Sequence, residues 1–190
     1  MPEAGLPEAP LISPRVLEDV SGRPIPLPQE GALVHLQFRR FAGCPVCNLH
    51  LRSFVRRHGE LESAGVREVV VFHSPADELR LHTADFPFAM IADPDKRLYA
   101  EFGVTSSPRA LLDPRAWLPI LRAVGFAIGG LLAGTVRPPP ANPHGGRLGL
   151  PADFLIAPDG RTIACKYGVH VDDHWSVDEV LSQALLYRSA

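Results

Sequence analysis

The chain has 190 residues and a formal net charge of −2, and 21% of its residues are charged. This length fits one domain with a substantial core, while the near-neutral charge excludes the basic surface of a nucleic-acid-binding protein and the acidic tail of a solvating one. We therefore expect a single domain over residues 1–190 that binds no nucleic acid.

The first fourteen residues, MPEAGLPEAPLISP, carry prolines and acidic side chains where a secretory signal needs a basic start and a long apolar run. This pattern predicts a flexible N-terminus over residues 1–14 and a cytoplasmic protein. The three cysteines, Cys44, Cys47 and Cys165, do not form the framework of a disulfide-stapled secreted domain. In a reducing compartment, two cysteines three positions apart are typical of a catalytic or metal-binding site.

Strands and helices alternate through the first half of the chain. Residues 32–38 (ALVHLQF) are typical of a buried central strand, and an amphipathic helical pattern then runs from the cysteine pair to Leu61 and is closed by Gly65. Residues 66–72 (VREVVVF) form the most strand-like stretch. A second helix is predicted to follow, because the next motif, SPAD, supplies an N-cap, a proline at the first helical position and an acid in the first turn.

The second half of the chain has a different pattern. A short strand at 88–91 and a brief helix precede residues 106–146, which we interpret as an insertion. Two strands joined by a hairpin turn at 157–160 (APDG) follow, and a capping box that begins at Ser176 introduces a last helix. The sum is an α/β fold with a central mixed β-sheet and helices on both faces.

The insertion combines an apolar helix with a Pro/Gly-rich loop. The helix covers residues 116–134 (AWLPILRAVGFAIGGLLAG) and is started by Asp113 and Pro114. Its nineteen residues approach the length of a membrane span, but Arg122 at its middle and Pro119 oppose spanning. We interpret the segment as a lid or as the contact of a homodimer rather than as a membrane segment.

The motif FAGCPVC places Cys44 at the junction between a predicted strand and a predicted helix. Unpaired backbone N–H groups and the helix dipole stabilise a thiolate at such a junction, so we expect the pKa of Cys44 to be lowered. Pro45 fits the first helical turn, and Arg39 and Arg40 are candidates for additional positive charge. Cys47 lies one turn further on. The pattern predicts that Cys44 attacks a substrate and that Cys47 resolves the mixed disulfide.

Other interpretations of the cysteine pair remain open. A structural zinc site needs four ligands, and the chain has no second C-x-x-C motif. The candidate zinc ligands are Cys44, Cys47, His50 and Cys165. Alternatively, the pair consists of structural core cysteines in a non-catalytic module whose apolar insertion binds a partner. Metal-ligand types also cluster at residues 170–174 (HVDDH), where turn formation and helix capping explain the aspartates.

The segments FRRFAGCPVC and LPADFLIAPDGRTIACKYG, around a β-α-β half, give the chain its resemblance to a known family. The chain resembles the thioredoxin-like superfamily and, more narrowly, the peroxiredoxin-like branch of the alkyl hydroperoxide reductase and thiol-specific antioxidant proteins. The resemblance runs from about Val16 through the last helix, includes VSGRPIPL as an N-terminal edge strand, and is weakest over residues 106–146.

The resemblance implies a thiol-disulfide oxidoreductase of the thiol peroxidase type that needs no cofactor. Its partners are expected to be protein or small-molecule thiols and disulfides, and hydroperoxides. Pro151 matches the superfamily's cis-proline, and we expect it to contact the substrate together with Gly43 and Pro45, which flank Cys44. Arg109 and Arg161 are further candidates for electrostatic support of a thiolate or a leaving oxyanion.

The residues before Cys44 depart from the family pattern. Peroxiredoxins place a proline and a threonine seven and three residues before the reactive cysteine, where this chain has Gln37 and Phe41. Thioredoxins place a buried carboxylate six residues before it, where this chain has Phe38. Alternation along the strand puts His35 on the face opposite Phe38, where packing in the core is expected.

Overall fold

The structure is a computed structural model that describes residues 11–134 and 137–189, except for the side chain of Arg109. Over these residues the strands are β1 (Arg15–Glu18), β2 (Pro24–Leu27), β3 (Leu33–Phe38), β4 (Val66–Phe72), β5 (Ala89–Ala92), β6 (Ala152–Ile156) and β7 (Thr162–Tyr167). The helices are α1 (Pro45–Arg56), α2 (His58–Ser63), α3 (Ala76–Thr83), α4 (Arg97–Glu101), α5 (Arg109–Leu112), α6 (Pro114–Leu132) and α7 (Val177–Ser189).

Five strands form one sheet in the order β5-β4-β3-β6-β7, which confirms the predicted mixed sheet. β3 lies at its centre, parallel to β4 and antiparallel to β6, and all of its residues are buried. A strand that is covered on both faces reads as a nearly continuous apolar run, as residues 32–38 do. The carboxyl end of β3 leads into the loop that carries the cysteine pair, so the most buried strand positions the site.

The two faces of the sheet bury different cores. On one face, Phe38 of β3 joins an aromatic cluster in which the rings of Phe38 and Phe102 lie 5.8 and 5.0 Å from Phe154. On the other face, β3 and β4 pack against α1, α3 and α7, and this core includes the cysteine pair. His35 is buried on this second face, 5.6 Å from the ring of Phe54 in α1.

Two elements differ from the sequence prediction. The first helix breaks at Arg57 (φ −112°, ψ 18°) into α1 and α2, where the guanidinium of Arg57 pairs with Glu60 and with Asp178 of α7, at 2.7 Å each. Residues 20–27, expected as an edge strand, contain β2, which pairs with β1 in a separate two-stranded sheet, while the N–H of Val20 donates to Met90 of β5 (2.8 Å). Prolines in this stretch lack the N–H donors that pairing with the main sheet would use.

The predicted flexible N-terminus is described only in part. Residues 1–10 lie outside the described residues. Ile12 is buried, and its N–H donates to the carbonyl of Gly160 in the hairpin turn (2.8 Å). The end of the expected flexible segment is therefore attached to the domain.

The apolar helix of the insertion is α6. It begins after Asp113, whose carboxylate accepts the N–H of Arg115 (2.9 Å), and it packs along α1 through a narrow stripe formed by Ala116, Ala123 and Ala127. Most of its remaining surface is apolar and exposed. Within the described ranges, α6 alone is long and apolar enough to cross a membrane, with a mean hydropathy of 1.3 over a window that is 17% buried.

Candidate active site

Cys44 occupies the N-cap of α1, directly after the loop that follows β3. Its sulfur accepts the backbone N–H of Cys47 (3.3 Å), and Pro45 stands in the first helical turn, where no N–H partner is needed. Both cysteines are reduced and buried. The junction between β3 and α1 therefore brings two thiols together at the positive end of a helix.

The guanidinium of Arg40 supplies a second source of positive charge. Its Nη2 donates to the sulfur of Cys44 (2.9 Å), and its Nη1 donates to the carbonyl of Arg147 (3.0 Å). Burial opposes ionisation of both thiols. At Cys47, the hydrogen bond from Cys44 and the charge of Arg40 outweigh burial and lower the pKa to about 5. Burial and the neighbouring Cys47 raise the pKa of Cys44 well above its usual value.

The direction for Cys44 corrects the expectation that its pKa is lowered. Two sulfurs within hydrogen-bond reach ionise one at a time, because the first negative charge opposes the second. The pair therefore carries one negative charge at a time, and Arg40 and the positive potential of Arg39 favour that charge. When the charge is on Cys44, its sulfur accepts from Arg40 and from the N–H of Cys47.

We predict that Arg40→Met shifts the pH midpoint of thiol alkylation upward by about one unit or more, because it removes the charge that favours a thiolate. Arg40→Lys keeps a charge and should give an intermediate midpoint. Arg147→Met is a matched control, since the guanidiniums of Arg147 and Arg40 both lie over the ring of Phe41, at 5.4 and 5.6 Å. An equal shift in the Arg147 variant would show that packing on Phe41, not charge at the sulfurs, sets the midpoint.

A buried polar network lies under the same end of the sheet. Across the strand registers, His35 stands opposite Glu68 of β4, and Gln37 stands opposite Asp153 of β6. The His35 ring lies 2.9 Å from Glu68 and 3.2 Å from Asp153, and the amide of Gln37 donates to Glu68. Arg39 donates to Asp153 (2.7 Å). These five side chains pair two carboxylates with two basic groups in the core.

Thioredoxins have a buried carboxylate near the cysteine pair, and in this chain the nearby buried carboxylate is Asp153 of the network. Burial opposes a charge at Asp153, but Arg39 and His35 outweigh it and hold the pKa of this carboxyl well below its usual range. Burial likewise opposes a charge on His35, yet Glu68 and Asp153 raise its pKa to about 9. Asp153 is therefore a permanent anion that balances Arg39, and it is not poised to take a proton from a thiol.

The four candidate zinc ligands do not converge. The ring of His50 is directed at Arg39 (3.1 Å) and lies against the tilted ring of His174, with ring centroids 3.5 Å apart. Cys165 packs on the opposite face of the sheet, next to Phe154. The loop at 170–174 is tied down by a salt bridge from Lys166 to Asp173 (2.9 Å). In the part of the chain that the structure describes, no group of three or more His, Cys, Asp or Glu side chains is arranged to hold a metal ion.

The Leu150–Pro151 bond is trans, which corrects the expected cis-proline; among the described residues only Leu27–Pro28 is cis. A trans bond continues the extended chain into β6, where the N–H of Leu150 donates to Thr105 (3.1 Å) and the carbonyl of Pro151 accepts from Gly168 (2.9 Å). Because that carbonyl is already paired within the chain, it is not a free backbone acceptor for a substrate peptide.

Gly43 is required by its neighbour. It has a φ of +74°, and a Cβ at this position would lie 2.7 Å from the imidazole of His82 at the end of α3. His82 therefore lies directly over the loop that precedes Cys44. Any larger residue at 43 would have to displace this ring and adopt a strained backbone.

Two cavities meet at His82. The inner one, of about 10 Å³, is lined by both cysteines and also by Gly43, Asn48 and Thr83. The outer one, of about 340 Å³, shares Asn48 and His82 with it and is lined also by Arg52 and Arg137. The inner space holds about one water molecule. The pair is therefore closed to substrates in this state, and a cleft of substrate size lies just outside it.

The two other arginines that the sequence suggested as electrostatic support do not contact the sulfurs in the described part of the structure. The side chain of Arg109 lies outside the described residues. Arg161 is exposed and pairs with Asp159 in the hairpin turn (2.6 Å). Sequence reasoning missed Asp153, Glu68 and His82. The first two carried a detectable signal, since each is a lone acid within an apolar strand.

Comparison with known proteins adds a family and a fold. A family model described as AhpC/TSA antioxidant enzyme matches residues 53–170, which is more than half of the chain. The matched part begins after the cysteine pair. No curated protein matches the sequence.

Three solved structures illustrate the shared fold. The chain superposes on peroxidoxin BcpB from Mycobacterium tuberculosis with 16% identity and a TM-score of 0.65, covering 94% of this chain and 96% of that one. A cysteine-to-serine mutant of peroxiredoxin 6 of Arenicola marina is 13% identical and superposes with a TM-score of 0.67, covering 97% of this chain and 74% of that one. Xanthomonas campestris peroxiredoxin Q is 17% identical and superposes with a TM-score of 0.61, covering 96% of each chain.

The structural likeness gives the thioredoxin-like fold, and the family match covers the end of α1, the strands β4 and β5, the insertion and the final hairpin. The chain thus belongs to the AhpC/TSA antioxidant enzyme family and is a peroxiredoxin-like oxidoreductase.

Proposed function

We propose that Cys44 and Cys47 form a redox-active dithiol that cycles between two thiols and one disulfide, with Cys44 as the nucleophile and Cys47 as the resolving thiol. One observation carries the proposal: the sulfur of Cys44 accepts from both Arg40 and the N–H of Cys47 at the start of α1. Cys44 also begins the helix, whereas Cys47 lies one turn inside it.

The reaction with a disulfide is a two-step exchange. The Cys44 thiolate attacks one sulfur of the substrate, the substrate S–S bond breaks, and its other sulfur leaves as a thiolate that takes a proton. Cys47 then loses its proton and attacks Cys44 in the mixed disulfide, which releases the second substrate thiol. The protein ends as a disulfide, and the substrate is reduced by two electrons.

The reaction with a hydroperoxide uses the same sulfurs. The Cys44 thiolate attacks the terminal oxygen, the O–O bond breaks, and the alcohol leaves with a proton, so that Cys44 becomes a sulfenic acid. Cys47 attacks this sulfur and water leaves. Arg40 is placed to stabilise the negative charge that develops on the leaving oxygen. Because Phe41 supplies no hydroxyl, we expect disulfides to be reduced faster than hydroperoxides.

The test measures the intact mass of the protein and the consumption of substrate in the same experiment. Reduced protein is mixed with an equimolar protein disulfide or an organic hydroperoxide, and the intact mass is recorded beside substrate loss. The proposal expects a loss of two hydrogens from the chain for each substrate molecule consumed, reversed by dithiothreitol. Consumption of either substrate with both thiols still free, or a bound zinc mass in the purified protein, would contradict it.

A further inference from the structure

The surface of α6 that faces solvent is the least expected feature of the molecule. Successive residues of a helix are about 100° apart, so the alanine stripe on α1 and the exposed side chains fall on separate arcs. A continuous arc of about 140° carries only apolar side chains on the side turned away from α1. We call it the apolar arc: Trp117, Leu118, Leu121, Val124, Ile128, Leu131 and Leu132, all exposed.

Charge is confined to one flank of this arc. Arg115 and Arg122 lie two turns apart on that flank, and residues 114–134 contain no acidic side chain. Arg115 pairs with Asp113 (2.8 Å), while Arg122 has no ion-pair partner among the described residues. An exposed apolar face bordered by unpaired arginine, with tryptophan in the face, is the pattern of a helix that lies in a membrane interface.

From this arrangement we infer that α6 is a membrane-surface helix, whose apolar arc enters the headgroup region of an anionic bilayer while Arg122 binds lipid phosphate. The inference goes beyond the redox chemistry and does not depend on it. α6 is fixed along α1 by Ala116, Ala123 and Ala127, so it lies parallel to the domain surface. Spanning would require the attached domain to enter the bilayer, so the helix rests on the membrane.

Charge complementarity favours lipid over a second copy of the chain. In a symmetric pair joined through the apolar arc, each copy would offer the other Arg122 and no carboxylate from residues 114–134. An anionic bilayer offers phosphate along the whole 28 Å or so of the helix. The lipid surface therefore satisfies both the apolar arc and its flanking cation.

Flotation of the reduced full-length protein with vesicles tests the inference. We expect binding to phosphatidylcholine vesicles that contain phosphatidylserine to be at least about fivefold tighter than to phosphatidylcholine alone, and to weaken with added salt. Leu121→Glu combined with Ile128→Glu should weaken binding to both vesicles at least about tenfold. Arg122→Glu should remove the preference for phosphatidylserine.

Matched controls separate the arc from general effects. Leu185→Glu changes an apolar residue that is as exposed as Leu121, at 69%, but lies on α7, and Arg97→Glu makes the same charge reversal on α4. Both should bind as the unmodified chain does. Unchanged binding by the arc variants would overturn the inference. A dimer that binds no vesicle and that Leu121→Glu dissociates would also overturn it and would assign the face to a second copy.

Discussion

Replacement of Cys44 by serine is expected to abolish turnover of both disulfides and hydroperoxides, a fall of at least about a thousandfold. A serine hydroxyl at this N-cap keeps the hydrogen bond to the N–H of residue 47, so the helix start is preserved. The hydroxyl is not ionised near neutral pH, and the nucleophile is lost. Steady-state consumption of an organic hydroperoxide and of a protein disulfide measures the effect.

Cys47→Ser and Cys165→Ser complete the set. With Cys47 replaced, Cys44 still attacks, and a mixed disulfide with the substrate should accumulate because no second thiol releases it. Cys165→Ser should keep full activity, since Cys165 packs on the opposite face of the sheet. A mixed disulfide trapped by Cys44→Ser, and not by Cys47→Ser, would reverse the two roles. Full activity of Cys44→Ser would remove the pair from the chemistry altogether.

Asp153→Asn should cost about 3–5 kcal/mol of unfolding free energy, one of the largest effects available from a single isosteric change. Asp153 is fully buried and accepts from Arg39, from His35 and from the N–H of Trp175 (3.1 Å). The asparagine amide has the same shape as the carboxylate, but Glu68 is then the only anion left in the network to balance His35 and Arg39. Urea unfolding at neutral pH measures the loss.

The control for this variant is Asp159→Asn. Asp159 also forms an ion pair with an arginine, at 2.6 Å, but it lies in the exposed hairpin turn. Exposed pairs contribute little, so we expect almost no change in the urea midpoint. If Asp153→Asn were as mild as Asp159→Asn, the buried network would not be an important source of stability.

The network also predicts how stability depends on pH. The pKa of His35 is raised to about 9 in the fold, so its contribution is complete below the unfolded value of about 6.5 and is lost as pH rises through about 9. The pKa of Asp153 is lowered, so its contribution is present above about 4 and is lost at more acid pH. Unfolding free energy should therefore decline from pH 6.5 to 9 and decline less in His35→Asn.

Local patterns predicted most of the fold because they act over a few residues. The apolar run at β4, the capping box at Ser176 and the Asp113–Pro114 start of α6 each specify one element, and each lies where the pattern places it. The break at Arg57 was missed because the apolar spacing continues through it to Leu61, and the pair that Arg57 forms with Asp178 of α7 joins residues 121 positions apart. Sequence spacing carries no information on such a contact.

Only those features of the site that lie close together in the sequence could be predicted. The spacing of Cys44 and Cys47 and the position of Arg40 four residues upstream are local features, and the structure brings them together. Asp153 reaches Arg39 only because β6 pairs with β3, a pairing between strands 114 residues apart. The trans bond before Pro151 differs from the family pattern, since the hydrogen bonds of Leu150 and Pro151 suit an extended entry into β6.

The contact of His82 with the loop at Gly43 should also limit how fast a reagent reaches Cys44. Because the space at the sulfurs holds about one water molecule, a reagent reaches Cys44 only after His82 and the end of α3 move aside. At high reagent concentration, thiol modification then proceeds at the opening rate of α3 and becomes independent of the reagent.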